Sequence, residues 1–530
     1  MKNKVFKRIF SRFPLTALII ILMFVALYLI SVYGFYYLGN ALVALFPALE
    51  EYTEHMEIGF EIMRWIIVLI AVLHCANRDM VPETKIPWLL CITIMNLFGV
   101  AIYVVFSWHR PSRKERRLYR ALFDITEERA AKGSSPEELR SKMGHWSAVS
   151  VALSTANPSA AIHAGTKTEY FPVGEKFRDR LLGDLEHAEK YILLEYFIIE
   201  RGEFWNAILE ILERKVKEGV IVRLMYDDIG CMGKIHLNYH RTLRKKGIDC
   251  IKFNPFVPVV TSVHNNRDHR KIVVIDGKVG YTGGINLADE YVNAVQPFGH
   301  WKDTAVRLEG AGVHNLTLLF YRLYCMQKKE VEDITPFLVQ KHEHFEDEGF
   351  VQPFGDGPHP LYKRHLGEDV YVNIISSANK YVWISTPYLI IDYRMREALT
   401  LAAQRGVDVR IVTPHVPDKK VAFALTRSNY AALIKGGVKI YEYTPGFMHA
   451  KMVLADDDVA LVGTINLDYR AFLYHFEDAV LMYKTRAMES MKADMATTFS
   501  LSKQQTLEDA KRSVVWRWVC EIAKLFAPLF

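Results

Sequence analysis

The chain has no CxxC pair and no other metal-ligand spacing, although cysteines stand at Cys75, Cys91, Cys231, Cys250, Cys325 and Cys520. Their scatter excludes a compact disulfide framework and suits a reducing compartment. A charge excess is lacking too. The 66 basic and 60 acidic residues leave +6, too mild to signal nucleic acid, and no nucleic-acid partner is expected. The most informative absence is local: no charged residue occurs from Phe13 to Leu49, nor from Ile86 to Trp108. Both runs exceed the roughly 20 residues that a spanning helix needs, so membrane attachment follows. A third segment, Ile58 to Ala76, carries Glu61 and Arg64. Its charge-free part is short for a crossing, which predicts a re-entrant or interfacial helix. The first run is far longer than the apolar part of a secretory signal and lacks a small-residue cleavage site, so it reads as retained.

With 530 residues, half of them hydrophobic and 24% charged, the chain is no disordered protein and should hold three or four structural units. Basic residues flank the apolar region on both sides: Lys2, Lys4, Lys7, Arg8 and Arg12 before it, then Arg110, Arg113, Lys114, Arg116, Arg117 and Arg120 after it. Both clusters favour the cytoplasmic side, which three full crossings cannot satisfy. Either one segment enters and leaves on one face or the smaller first cluster is overruled. A multi-pass membrane protein whose soluble part faces the cytoplasm is the expectation.

Beyond residue 168 the sequence repeats itself at long range. EKYILLEYFIIE, an amphipathic helix pattern and GVIVRLMYDD correspond to NKYVWISTPYLII, a second helix pattern and GVDVRIVTPH. LRKKGIDCIKF corresponds to LIKGGVKIYEY, and each copy then runs into a His-Lys stretch. This order predicts α/β layers around a substantially parallel sheet, twice, in two pseudo-symmetric domains preceded by a helical membrane region. The expected units are a membrane anchor over 1–109, a basic helical connector over 110–168, and a first domain over 169–327. A charged linker over 328–359, a second domain over 360–502 and an amphipathic tail over 503–530 follow. For the tail, an interfacial helix and a helix docked on the protein's own core are both open.

The two His-Lys stretches read HRKIVVIDGKVGYTGGIN from His269 and HAKMVLADDDVALVGTIN from His449. On a β-strand, alternation puts His269 and Lys271 on one face, and likewise His449 and Lys451. Asp276 and Asp456 fall at the strand ends in turn sequences, where a structural role is as open as a catalytic one. Small residues, Gly283-Gly284 and Gly463-Thr464, precede Asn286 and Asn466, whose amides suit a site approached closely by backbone. Duplicating a structural unit gives no reason to keep two ionisable residues on one strand face twice. Two lysines and two asparagines suit the non-bridging oxygens of a phosphodiester. One imidazole attacks phosphorus while the other supplies and then removes a proton. No metal and no cofactor is required, since the lysines supply the charge. Each imidazole needs an orienting acceptor; the candidates are Asp303 in HWKDTAVRLEG and Glu477 in YHFEDAVLM.

These residues resemble the phospholipase D superfamily, whose signature is HxKxxxxD followed by a GG, GS or GT pair and Asn. Within it the chain is similar to the bacterial cardiolipin synthases, through PWLLCITIMNLFGVAIYVVF, LEYFII with YDDIG, GGINLADEYVN, HWKDTAVRLEG, STPYLIID and the terminal APLF. The resemblance implies catalytic roles for His269, Lys271, Asp276, His449, Lys451 and Asp456, with His269 as nucleophile and His449 as acid and base. It implies transfer of a phosphatidyl group between two phosphatidylglycerol molecules, with glycerol released. A phospholipase D hydrolase, or a transferase with another donor or acceptor, is the alternative, and an inactive scaffold the remote one, since neither motif is eroded. The chain departs from the family in its long first apolar run and at Tyr474-His475, where a small polar or Asn-containing stretch is expected; the latter implies altered acceptor choice.

Overall fold

The computed structural model describes residues 2–107, 112–256, 265–346 and 348–525. Trp108, Arg110 and the terminal APLF, used above, lie outside the described residues. The chain divides into a unit built mainly from residues 1–111 and a unit holding 112–255 and 266–521.

The first unit is helical: Lys2–Leu45, then Thr53–Asn77 after a short turn, then Pro82–Ser107. Two helical stretches, Pro47–Asn77 and Pro82–Ser107, are long and apolar enough to cross a membrane. The first apolar run qualifies as a broken pair, Phe24–Ser31 and Tyr33–Leu45, bent by 55°. This changes the reading of Ile58 to Ala76, expected to be too short for a span. Its two charges, Glu61 and Arg64, sit one helical turn apart and form an ion pair, so the segment carries no net charge along a continuous helix. Val68, Ala71 and Cys75 pack against Ile92 and Tyr103 of the next helix.

The second unit is built on two large sheets with one plan. The first has seven strands in the order Lys167–Phe171, Ala305–Glu309, Val279–Gly283, Lys271–Ile275, Tyr191–Tyr196, Ile221–Asp227 and Asp249–Phe253. The second repeats this order with Phe350–Asp356, Glu477–Tyr483, Val459–Gly463, Met452–Ala455, Tyr381–Ser385, Asp408–Pro414 and Lys439–Tyr443. It gains one short strand at each edge, His163–Ala164 and Ser502–Gln504. Only the last three strands of each series run parallel; the others pair antiparallel. The sheet is therefore mixed where a substantially parallel one was expected. The cause is the Asp-led turn, which folds each His-Lys strand back on itself as a hairpin.

Two expected boundaries also move. The stretch read as a linker, 328–359, contains Phe350–Asp356, a fully buried strand paired along its whole length with Glu477–Tyr483. Its Pro353 lacks an N–H to donate, and the neighbouring strand on the other side reaches only Phe350 and Val351, so no ladder bond is lost. The connector is more than a spacer. Its helices Pro136–Met143 and Ser147–Ala156, with the turn Gly144–Trp146 between them, insert Leu139, Met143, Trp146, Val149 and Leu153 into a core built from both halves. The tail helix Val514–Leu525 exposes Val515, Trp516, Trp518, Val519 and Ile522 while burying Cys520.

Candidate active site

The two halves meet through the segments that begin each His-Lys strand. The His269 N–H donates to the Phe476 carbonyl at 2.9 Å, and the Phe476 N–H donates to the Arg267 carbonyl at 2.8 Å. On the other side the His449 N–H donates to the Lys302 carbonyl at 2.7 Å, and Gly446–Met448 pairs in parallel with His300–Lys302. Each histidine is thus laid beside the other half's acidic stretch, and the side chains follow. Glu477 accepts from His269 Nδ1, at 2.9 Å through Oε2 and 3.0 Å through Oε1. Asp303 accepts from His449 Nδ1 at 2.6 Å. The carboxylates are exchanged: neither histidine is oriented by its own half. Nδ1 of each ring is taken up by its carboxylate, and that of His449 also lies 2.8 Å from Lys451 Nζ, so each ring is left with Nε2 for chemistry.

His269 and Lys271 share a face, since both lie against the Phe197 ring. Each lysine ammonium donates to the carbonyl of its own histidine, His269 or His449. All four groups are buried, and burial governs their protonation. It pushes Lys271 down to about 8 and Lys451 to about 7, with nearby carboxylates opposing. Burial and then Lys271 hold His269 well below the usual imidazole range. His449 falls to about 4 through burial and Lys451, with Asp303 opposing. Each lysine acts on the histidine of the opposite half, so the charges of both motifs converge on one site. Burial pushes the Glu477 carboxyl up, and Lys271 followed by the Thr464 hydroxyl favours its ionised form.

Asp276 and Asp456 stand elsewhere. Five residues along an extended strand carry the chain about 16 Å from Lys271. There the Asp276 carboxylate accepts from the backbone N–H of Glu189, Lys190 and Tyr191 at 2.7–2.9 Å. Asp456 does the same with Asn379, Lys380 and Tyr381. Both have positive φ, 52° and 56°, and their three-fold anchoring holds that turn conformation without glycine. Their visible work is to lock the hairpin to the neighbouring strand, which answers the question their position raised.

The small residues after the return strand are required by close approach. A Cβ on Gly283 would lie 2.4 Å from the Thr304 carbonyl oxygen, and one on Gly463 would lie 2.3 Å from that of Asp478. Asn286 Oδ1 accepts from the Ile198 N–H at 3.0 Å, while Asn466 Oδ1 is buried without a hydrogen-bond partner. Four further groups belong here that the motif alone does not reveal. Thr464 donates its hydroxyl to Glu477, and Asp478 accepts from the Lys271 N–H and the Thr282 hydroxyl. Trp301 and His475 lay their rings against His449 and His269. Ligand-type atoms of His269, His475 and Glu477 lie within 4.8 Å of one another. However, Arg470 Nε donates to His475 Nε2 at 3.2 Å, which places the ring proton on Nδ1 and removes that lone pair from a ligand set.

Fold and site together define a phospholipase D-like enzyme, with two halves building one phosphoryl-transfer centre. A family model described as "Cardiolipin synthase, PLD-like domain" matches residues 181–296 and 371–498. A cardiolipin synthase of Halalkalibacterium halodurans is 32% identical over 88% of this chain and 92% of that protein. Cardiolipin synthase 2 of Bacillus anthracis is 33% identical over 86% and 88%. An uncharacterized protein of Streptococcus mutans is 47% identical over 69% of this chain and 79% of its own length. The chain belongs to the cardiolipin synthase family and is a phosphatidyltransferase. A crystal structure of phosphatidylserine synthase from Haemophilus influenzae shares the fold, with a TM-score of 0.52 at 16% identity, covering 68% of this chain and 93% of that one.

Proposed function

We propose that the protein joins two phosphatidylglycerol molecules into cardiolipin through a phosphohistidine. The observation that carries this reading is the pair of buried imidazoles, each with Nδ1 held by the other half's carboxylate and with two lysines beside them. Nε2 of His269 attacks phosphorus, the P–N bond forms and the P–O bond to the headgroup glycerol breaks. Burial and Lys451 hold His449 at about 4 before substrate arrives; the anionic phosphodiester entering beside the two lysines offsets their charge, so that His449 takes up a proton with the substrate and, as the imidazolium held by Asp303, gives it to the departing glycerol oxygen. Neutral His449 then takes a proton from the terminal hydroxyl of a second phosphatidylglycerol, whose oxygen attacks phosphorus. The P–N bond breaks, and both rings return to their starting forms. The phosphoryl oxygens carry charge throughout, and Lys271, Lys451, Asn286 and Asn466 are the donors assigned to them.

Burial of the site supports transfer over hydrolysis, because a lipid alcohol must outcompete water for the intermediate. Two apolar helices able to cross a membrane supply the lipid surface, and the basic Arg113 to Arg120 stretch would draw anionic lipid to the cytoplasmic face. Purified protein given phosphatidylglycerol alone should yield cardiolipin and glycerol in equal amounts. Phosphatidate as the sole lipid product would replace this reading with a hydrolase.

A further inference from the structure

The two halves are built on one plan around their histidines, and one of their differences puts a second ionisable ring into the site. Two residues before Asp303 stands Trp301, and two before Glu477 stands His475. Their rings occupy matching places. Trp301 lies 5.3 Å from the His449 ring at 44°, and His475 lies 5.4 Å from the His269 ring at 41°. One catalytic imidazole therefore leans on an indole and the other on a second imidazole.

The His475 proton is fixed by its neighbour. Arg470 Nε–H occupies the Nε2 lone pair, so Nδ1 carries the hydrogen. That Nδ1 is buried, makes no hydrogen bond in this geometry, and sits 3.4 Å from Glu477 Oε1. Catalytic hydrogen bonds that are long in an empty enzyme commonly tighten when substrate fills the site. The groups facing His475 are Arg470, Lys271, Arg267 and Lys419 on the cationic side, with Glu477 as the acceptor and His269 beside it. His269 itself faces Lys271, His475, Lys451, His449 and Glu477. Burial, and then this cationic surrounding, disfavour a charge on His475 and keep it a neutral donor.

We propose that His475 is a positioning residue that makes the two halves unequal: its Nδ1–H is reserved for Glu477 and moderates that carboxylate's hold on His269. A carboxylate shared among more donors is a weaker base toward each. His269 thus stays neutral and nucleophilic, while Asp303, with an indole in the equivalent place, is left to support the imidazolium of His449. This inference rests on the phosphohistidine reading given above.

The test exploits side-chain geometry. Asparagine at 475 places an amide N–H where His475 Nδ1 stands, whereas glutamine places it near Nε2 and phenylalanine supplies a ring with no donor. For H475F and H475Q, the acid limb of kcat/KM for cardiolipin formation should move to higher pH by about half a unit or more, because a freer Glu477 raises the proton affinity of His269. H475N should keep the limb in the wild-type position, and so should W301F in the other half. If all three His475 variants lower the rate with the limb unmoved, or if W301F moves it equally, the proposal is wrong. Acid-stable protein fold in each variant is checked by thermal unfolding, and the Asn–Gln contrast carries the test should H475F not fold. Wild-type enzyme quenched with phosphorus-labelled phosphatidylglycerol gives the separate control. Absence of an alkali-stable, acid-labile label on histidine would sink the phosphohistidine reading itself, whatever the His475 variants do.

Discussion

The first and second halves of the catalytic unit share strand order, hairpin anchor and His-Lys pair, yet they surround their histidines differently. Around His449 the first half supplies Asp303, Trp301 and the bare Gly284, where a Cβ would meet Asp303 Oδ1 at 2.0 Å. Around His269 the second half supplies Glu477, the imidazole of His475 and the hydroxyl of Thr464. Under the proposed mechanism, the contrast is the means by which a duplicated scaffold divides labour. Backbone and strand-face positions stay symmetric because the sheet demands it, while the residues one layer behind the rings diverge and give two like histidines unlike surroundings, as the two tasks proposed for them require.

The most severe way to break this comparison is to remove either ring. His269→Ala and His449→Ala should each cut cardiolipin formation by about three orders of magnitude or more, measured by lipid mass spectrometry with purified enzyme. Next come the exchanged carboxylates. Glu477→Gln should suppress formation of the histidine-bound phosphoryl, by roughly a hundredfold or more. Asp303→Asn should cost as much with phosphatidylglycerol but little with a lipid phosphodiester carrying a nitrophenolate leaving group, which departs without a proton. Equal losses on both substrates for both variants would erase the division of roles.

The lysines sharpen the contrast through pH. With Lys451 pushed down to about 7 and Lys271 to about 8, both ammonium charges are complete below those values and are lost as pH rises through them. Activity should fall on the alkaline side in that window, and a rate that stays flat from pH 7 to 9 would contradict it. Thr464→Val removes one donor from Glu477 and should cost about 1 kcal/mol, near a fivefold loss, whereas no equivalent hydroxyl exists in the other half to remove. The smallest effect on chemistry should come from the turn anchors. Asp276→Ala or Asp456→Ala frees three backbone N–H groups and should lower unfolding stability by about 3 kcal/mol, with activity per folded molecule nearly kept.

Much of this was legible in the sequence, and the limits have physical causes. The duplication, the α/β class and the convergence of His-Lys pairs follow from residue types repeated at fixed offsets, which strand alternation converts into shared faces. Asp303 and Glu477 could be picked out as acceptors, but their exchange between halves depends on docking, and no local pattern encodes that. Thr464 read as a mere small residue because its hydroxyl acquires meaning only beside Glu477. The Phe350–Asp356 strand was obscured by charged neighbours and by Pro353, a residue that rarely marks a buried strand. Ile58 to Ala76 was judged by its charges, and their mutual pairing along the helix is a three-dimensional fact.

The swapped carboxylates make the enzyme a logical conjunction. A single half, however well folded, holds an imidazole whose ring has no acceptor to steer it and a carboxylate with no ring to steer. A prematurely ended chain would carry a complete signature sequence and still lack an oriented imidazole, so on the proposed mechanism the bilayer meets a working enzyme only after both domains have docked.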